Sequence, residues 1–189
     1  AFAGADTAIG PYTAYSTGDL GTNNIATATV KPSGAQTVVN GKTINALYLS
    51  GGVGVTINLG QTLTLTQGSL INNGGGDITG GHLTPGAEFI VNNATAMTIS
   101  SAITSASGIT KLGAGALTLS GPNIFSGQTT LLDGSLVLGA GNNTLAANNA
   151  LQLNKIAATL DLGATSQYVG NLSSAGAIEG SGGIITGSG

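Results

Sequence analysis

Three side chains able to do acid–base or cation chemistry fall close together: Asp77, His82 and Glu88, in GGGDITGGHLTPGAE (residues 74–88). Two carboxylates and an imidazole are the residue types of general acid–base catalysis, and carboxylates are ligands for hard cations. Their spacing argues against a shared site. Asp77 immediately precedes the apolar Ile78, His82 precedes Leu83, and Glu88 lies just before a third apolar segment. Each therefore falls in or beside a different turn, and solvated polar side chains are expected. GGGDIT is a single imperfect version of the Gly-Gly-x-Gly-x-Asp calcium repeat, which works in tandem. Enzymes acting on acidic polysaccharides need clustered carboxylates and often a basic residue near the sugar. Here seven Asp and Glu are spread along 189 residues and Arg is absent. No catalytic, cofactor-binding or metal-binding residue is assigned, no cofactor is expected, and the chain is read as not an enzyme.

The elements that carry these residues are unusual in composition. Charged residues are 6% of the chain, against a common figure of about 25%. Four Lys cannot neutralise many phosphates, so no nucleic-acid partner is expected. No run of roughly 18 apolar residues exists, so no membrane-spanning helix is expected. With 41% hydrophobic residues and a net charge of −3, disorder is a poor reading. Cys is absent, which excludes disulfides and thiolate metal sites but does not fix the compartment. The start at Ala1 and the ending IITGSG suggest a piece of a longer polypeptide.

Apolar residues recur with a period near twenty. One column is Val38, Ile57, Ile78, Ile99, Leu119, Leu138 and Leu160, with gaps of 19, 21, 21, 20, 19 and 22. A second is Ile44, Leu63, Leu83, Ile103, Ile124 and Leu145. A third is Leu49, Leu70, Ile90, Ile109, Leu131 and Leu151. Three short apolar segments per period, separated by Gly-, Asn- or Ser-rich breaks and with no helical periodicity, predict an all-β coil of parallel strands. About seven three-strand rungs of about 20 residues, each about 4.8 Å high, make a rod of roughly 35 Å. Within a segment the alternation is of period two: in ALTLSG, Leu117 and Leu119 are expected inward, Thr118 and Ser120 outward.

Outward neighbours form rows of their own. A polar row two residues beyond the third column holds Asn72, Asn92, Lys111, Asp133, Asn154 and Asn171. It predicts a structural ladder of stacked side chains, with Lys111 and Asp133 as an ion pair on adjacent rungs. Beside the first column lie Thr56, Asp77, Thr98, Thr118, Val137 and Thr159. Thr rows can order water, as on ice-binding solenoids, but Asp77 and Val137 interrupt this one, and ordinary Thr pairing is expected. Residues 1–36 fit the columns poorly and read as an irregular N-terminal cap or linker, with 37–189 as the coil. Tyr12 and Tyr15 in that start are expected to cap the first rung or to make contacts. Asn-x-Ser/Thr triplets occur at Asn93, Asn142 and Asn171.

The stretch KLGAGALTLSGPNIFSGQTTLLDGSLVLG carries a more specific pattern. It resembles the autotransporter-associated β-strand repeat through Lys111, Gly113, Gly115, Leu117, Leu119, Ser120, Gly121, Asn123, Phe125, Ser126, Gly127, Thr129, Thr130, Gly134 and Leu136. The flanks INALYLSGG and YVGNLSSAGAIEGSGGIITG are similar to passenger or giant surface-protein sequence. The resemblance implies a right-handed parallel β-helix outside a bacterial cell. The reading that follows is an extracellular structural segment of a surface fibre, stalk or layer, stacked head to tail or within a longer repeat chain. Its partner is then itself. An adhesin binding host surfaces or glycans is the alternative.

Overall fold

The structure is a computed structural model and describes residues 16, 20, 26–74, 76–139, 145, 149–155, 158–174 and 183–187. These form strands only: β1 (Thr29–Val30), β2 (Gln36–Val38), β3 (Lys42–Ser50), β4 (Val55–Ile57), β5 (Thr62–Asn73), β6 (Ile78–Thr79), β7 (His82–Pro85), β8 (Phe89–Asn93), β9 (Met97–Ile99) and β10 (Ala102–Ser105). The second half continues with β11 (Ile109–Leu112), β12 (Ala116–Leu119), β13 (Asn123–Phe125), β14 (Thr129–Leu131), β15 (Ser135–Leu138), β16 (Ala150–Leu153), β17 (Thr159–Asp161), β18 (Asn171–Ser173) and β19 (Ile184–Thr186). All pairings are parallel, each strand lying on the strand one turn earlier. The result is a β-solenoid of about six turns, close to the seven rungs expected.

Three faces wrap one core. The first is an 8-stranded sheet in the order β2-β4-β6-β9-β12-β15-β17-β19. The 11-stranded sheet covers the other two, because β3 and β5 are long enough to turn a corner. The start of β5 pairs with β7 on the second face, and its end pairs with β8 on the third. Gly68 makes that bend with a left-handed φ of 64°; a Cβ there would stand 2.1 Å from the Glu88 carbonyl oxygen.

Alternation places one side of every strand in the core, and Leu, Ile and Val stack from rung to rung. Each buried aliphatic side chain contributes about 2 kcal/mol of transfer free energy. The first column holds across Ile78, Ile99, Leu119 and Leu138, but it slips twice. Ile78 lies on Val55 rather than Ile57, and Leu160 lies on Leu136 rather than Leu138. In the second column Ile44 meets Leu65 rather than Leu63. The third column slips likewise: Leu70 lies on Leu47 rather than Leu49, Leu131 on Lys111 rather than Ile109, and Leu151 on Thr129 rather than Leu131. Each of these slips is of two residues, which keeps the same face inward because the side-chain period is two.

Errors of one residue reverse the face. Ile90, expected in the third column, points outward and is 39% exposed; Phe89 and Val91 on either side are buried. Ile124, expected in the second column, is 69% exposed, and Asn123 takes its place beside Ile103. The rows outside the first sheet move with the register too. Thr56 neighbours Thr79 instead of Asp77, and Val137 neighbours Asp161 instead of Thr159.

Candidate functional site

The structure separates the three acid–base candidates. Asp77 precedes β6 on the first face, and its Oδ1 accepts the Thr98 amide N–H at 2.7 Å. His82 opens β7 on the second face, exposed, between Thr62 and Ala102. Glu88 precedes β8 on the third, and its Oε1 accepts the Thr110 hydroxyl. The two carboxylates thus each serve the next rung. Among the described residues, no three His, Cys, Asp or Glu side chains converge on a point that could hold a metal ion.

The expected polar ladder is also taken apart. Asn72 lies on Asn93, not Asn92, and Asn92 lies on Ile71 and Leu112. Asn171 pairs with Ala150. Lys111 does not stack on Asp133: it occupies the inward column between Val91 and Leu131. The ion pair of Asp133 is with Lys155 on the following rung, Nζ to Oδ2 2.9 Å. That contact and the Gly134 N–H on Oδ1 hold the Asp133 carboxyl below the usual carboxylate range. Tyr12, Tyr15 and Asn142 lie outside the described residues.

The structure brings together a polar corner inside the solenoid, where the third face turns into the first. A turn leaves carbonyls that no strand partner reaches, and buried carbonyls require donors. Lys111 supplies them from within. Fully buried, it donates from Nζ to the carbonyls of Leu112 at 2.9 Å, Gly113 at 2.6 Å and Asp133 at 3.1 Å. The third of these belongs to the next rung. Gly113 turns this corner with a φ of 80°, and a Cβ there would lie 2.3 Å from the Asn93 carbonyl oxygen. One rung earlier, buried Asn93 does the same work, its Nδ2 donating to Thr95 O at 3.1 Å and Ala116 O at 3.0 Å. Its triplet is therefore shut away from any glycan transfer to the folded chain, whereas Asn171 is exposed.

Burial lowers the Lys111 pKa from 10.5 to about 8, with the Asp133 charge opposing the shift. A buried ammonium satisfied by three carbonyls, one of them from the next rung, fastens neighbouring rungs. An amine-acylating reagent at pH 8 is expected to modify exposed Lys155 and to leave Lys111 unmodified until the chain unfolds. Peptide mass mapping checks this, and equal labelling of both lysines would place Lys111 outside. Sequence reasoning missed this role, although the signal was present: in ITKL, alternation puts Lys111 on the same side as buried Ile109.

A parallel coil of three-strand rungs with an internal polar corner defines the class, a β-solenoid. Residues 109–138, the whole of β11 through β15, match the passenger-associated-transport-repeat family. That segment contains Lys111 and every turn between it and Asp133, and the coil around it fits an autotransporter passenger-like β-helix. No curated protein and no solved structure matches the chain significantly.

Proposed function

We propose that the chain is an extracellular structural solenoid, a length of rod within a bacterial surface fibre, stalk or layer. One observation carries the reading: inward columns of Leu, Ile and Val stack rung on rung through the described turns, and strands such as β8, β11, β12 and β15 pair with the rung before and the rung after. Repeats of this kind bury their faces only by stacking, so a run of them makes a rod. The match to a passenger repeat supports a secreted or surface location. The reading includes no catalytic role and no cofactor.

Antibodies against the folded chain are expected to stain intact source cells, and electron microscopy of the native material is expected to show rods. Staining only after permeabilisation would overturn the surface location, and compact particles would overturn the rod. The adhesin reading predicts instead that the isolated chain binds surface glycans; a glycan array checks it directly.

A further inference from the structure

An asparagine followed by glycine can be attacked by its own chain, because no side chain on the glycine hinders the backbone nitrogen from reaching the carboxamide. The sequence holds two such pairs, Asn40–Gly41 and Asn73–Gly74. The fold puts them in opposite situations. Asn40 and Gly41 lie between β2, which ends at Val38, and β3, which starts at Lys42, and both are exposed. This is the corner from the first face to the second. In the same corner one rung later Leu59 is 96% exposed, so the edge is open to water. Asn73 is exposed too, but it is the last residue of β5 and pairs with Ser50. Extended strand backbone, with a ψ of about +115°, turns the next amide nitrogen away from the side chain. Gly74 is also packed in: its carbonyl accepts the Gly52 N–H at 3.2 Å, and a Cβ on it would lie 2.4 Å from the Gly51 nitrogen. The related pair Asp133–Gly134 is closed chemically. Lys155 and the Gly134 N–H hold Asp133 as a carboxylate, a poor electrophile, and the Gly134 N–H is already engaged on Oδ1 at 2.9 Å.

We propose that Asn40 is a site of spontaneous self-modification, which converts on the folded chain to aspartate and isoaspartate through a succinimide. The Gly41 backbone nitrogen attacks Asn40 Cγ, and the new N–Cγ bond closes the ring. The Cγ–Nδ2 bond breaks, and Nδ2 leaves as ammonia with the proton given up by the Gly41 nitrogen. Water then opens the ring. Attack at Cγ gives an aspartate; attack at the backbone carbonyl carbon gives an isoaspartate, whose main chain runs through Cγ. Either product adds one negative charge to the chain's −3, beside Lys42. Isoaspartate also lengthens the backbone by one carbon. The corner tolerates this, because its length already varies between rungs: residues 39–41, then 58–61, then 80–81 join the first face to the second. The conversion consumes only water, so it does not depend on the surface location proposed above.

Ageing of the purified folded chain in buffer, followed by peptide mass mapping, tests it. The Asn40 peptide is expected to gain the mass of –NH2 replaced by –OH about tenfold faster than the Asn73 peptide, a barrier difference of about 1.4 kcal/mol. Labelling with an isoaspartyl methyltransferase identifies the isoaspartate fraction. In denaturant, where strand pairing is lost, the two rates are expected to agree within about twofold. Far-UV circular dichroism of the aged chain is expected to match that of the fresh one. Asn40→Gln is expected to abolish conversion at this position, because the longer side chain closes a less favoured ring. Gly41→Ala is expected to slow it about tenfold, a second check should the first variant not fold. A Cβ on Gly41 would stand 3.7 Å from the Thr62 carbonyl oxygen, an ordinary contact. Equal rates at Asn40 and Asn73 in the folded chain overturn the proposal. So does an Asn40 that converts in denaturant but not in the folded chain.

Discussion

Replacing Lys111 with alanine is expected to lower the unfolding free energy by about 3–5 kcal/mol at pH 7. Two losses add. Three methylenes and the ammonium leave a gap in the column between Val91 and Leu131, and a cavity in a stacked core relaxes only in part. The carbonyls of Leu112, Gly113 and Asp133 also lose their shared donor, each at a desolvation cost. Chemical denaturation with a single cooperative transition measures the loss. Lys111→Met separates the two contributions: it keeps an unbranched chain in the column but offers no donor, and a smaller loss of about 2 kcal/mol is expected.

The pH dependence identifies the group. In the unfolded chain Lys111 holds its proton to about pH 10.5, and in the folded chain to about 8. Between these values the unfolded state binds the extra proton, so stability rises with pH across the window. Below pH 8 both states are charged, and the folded state carries the full cost of the buried ammonium. The rise is worth about 3 kcal/mol for 2.5 units, and the neutral amine still has two N–H groups for the carbonyls. Subtracting the Lys111→Met profile from that of the parent isolates this contribution from tyrosines and other lysines. A parent that gains nothing relative to the Met variant between pH 8 and 10.5 would show that Lys111 is not buried.

The second large effect is at Phe89. Phe89→Ala is expected to cost about 3–5 kcal/mol, and Ile90→Ala less than about 1 kcal/mol. Phe89 heads the largest fully buried side chains and stacks on Ile109, whereas Ile90 faces solvent. The pair decides the register of the third face. Were Ile90 in the core, as a twenty-residue spacing rule suggests, the order of the two effects would reverse. Denaturant midpoints of the two variants settle it.

Ile90 and Ile124 show why spacing alone misplaces residues. The periods vary, since turns of different length join the faces, and an error of one residue exchanges inside for outside. Local alternation was the better guide. In EFIVN, two large apolar residues flank Ile90, and both are inside. Errors of two residues, as at Ile57 and Leu138, cost the reading little because they leave the side chain in the core. The polar ladder failed for another reason. Asn72, Asn92, Lys111 and Asp133 were aligned by position in the period, but in the strands Asn72 and Lys111 occupy inward positions, whereas Asn92 does not.

The sequence by itself determined the architecture: parallel three-strand rungs, no helix among the described residues, a core of stacked aliphatics, and a stretch from Lys111 on that resembles a passenger-type repeat. These are properties of composition and of periods two and twenty, and both survive small mistakes in register. Only the tertiary structure decided which way Lys111 faces. A lysine reads as a surface residue until the corner carbonyls that surround it are seen. Those carbonyls come from Leu112 and Gly113 beside it and from Asp133 a whole rung later. The same holds for the outward apolar side chains of the third face, Tyr48, Ile71, Ile90, Leu112 and Leu132, which are spread over 85 positions of the chain. No short window of the chain contains them, because rung-on-rung pairing brings together residues that are about twenty apart.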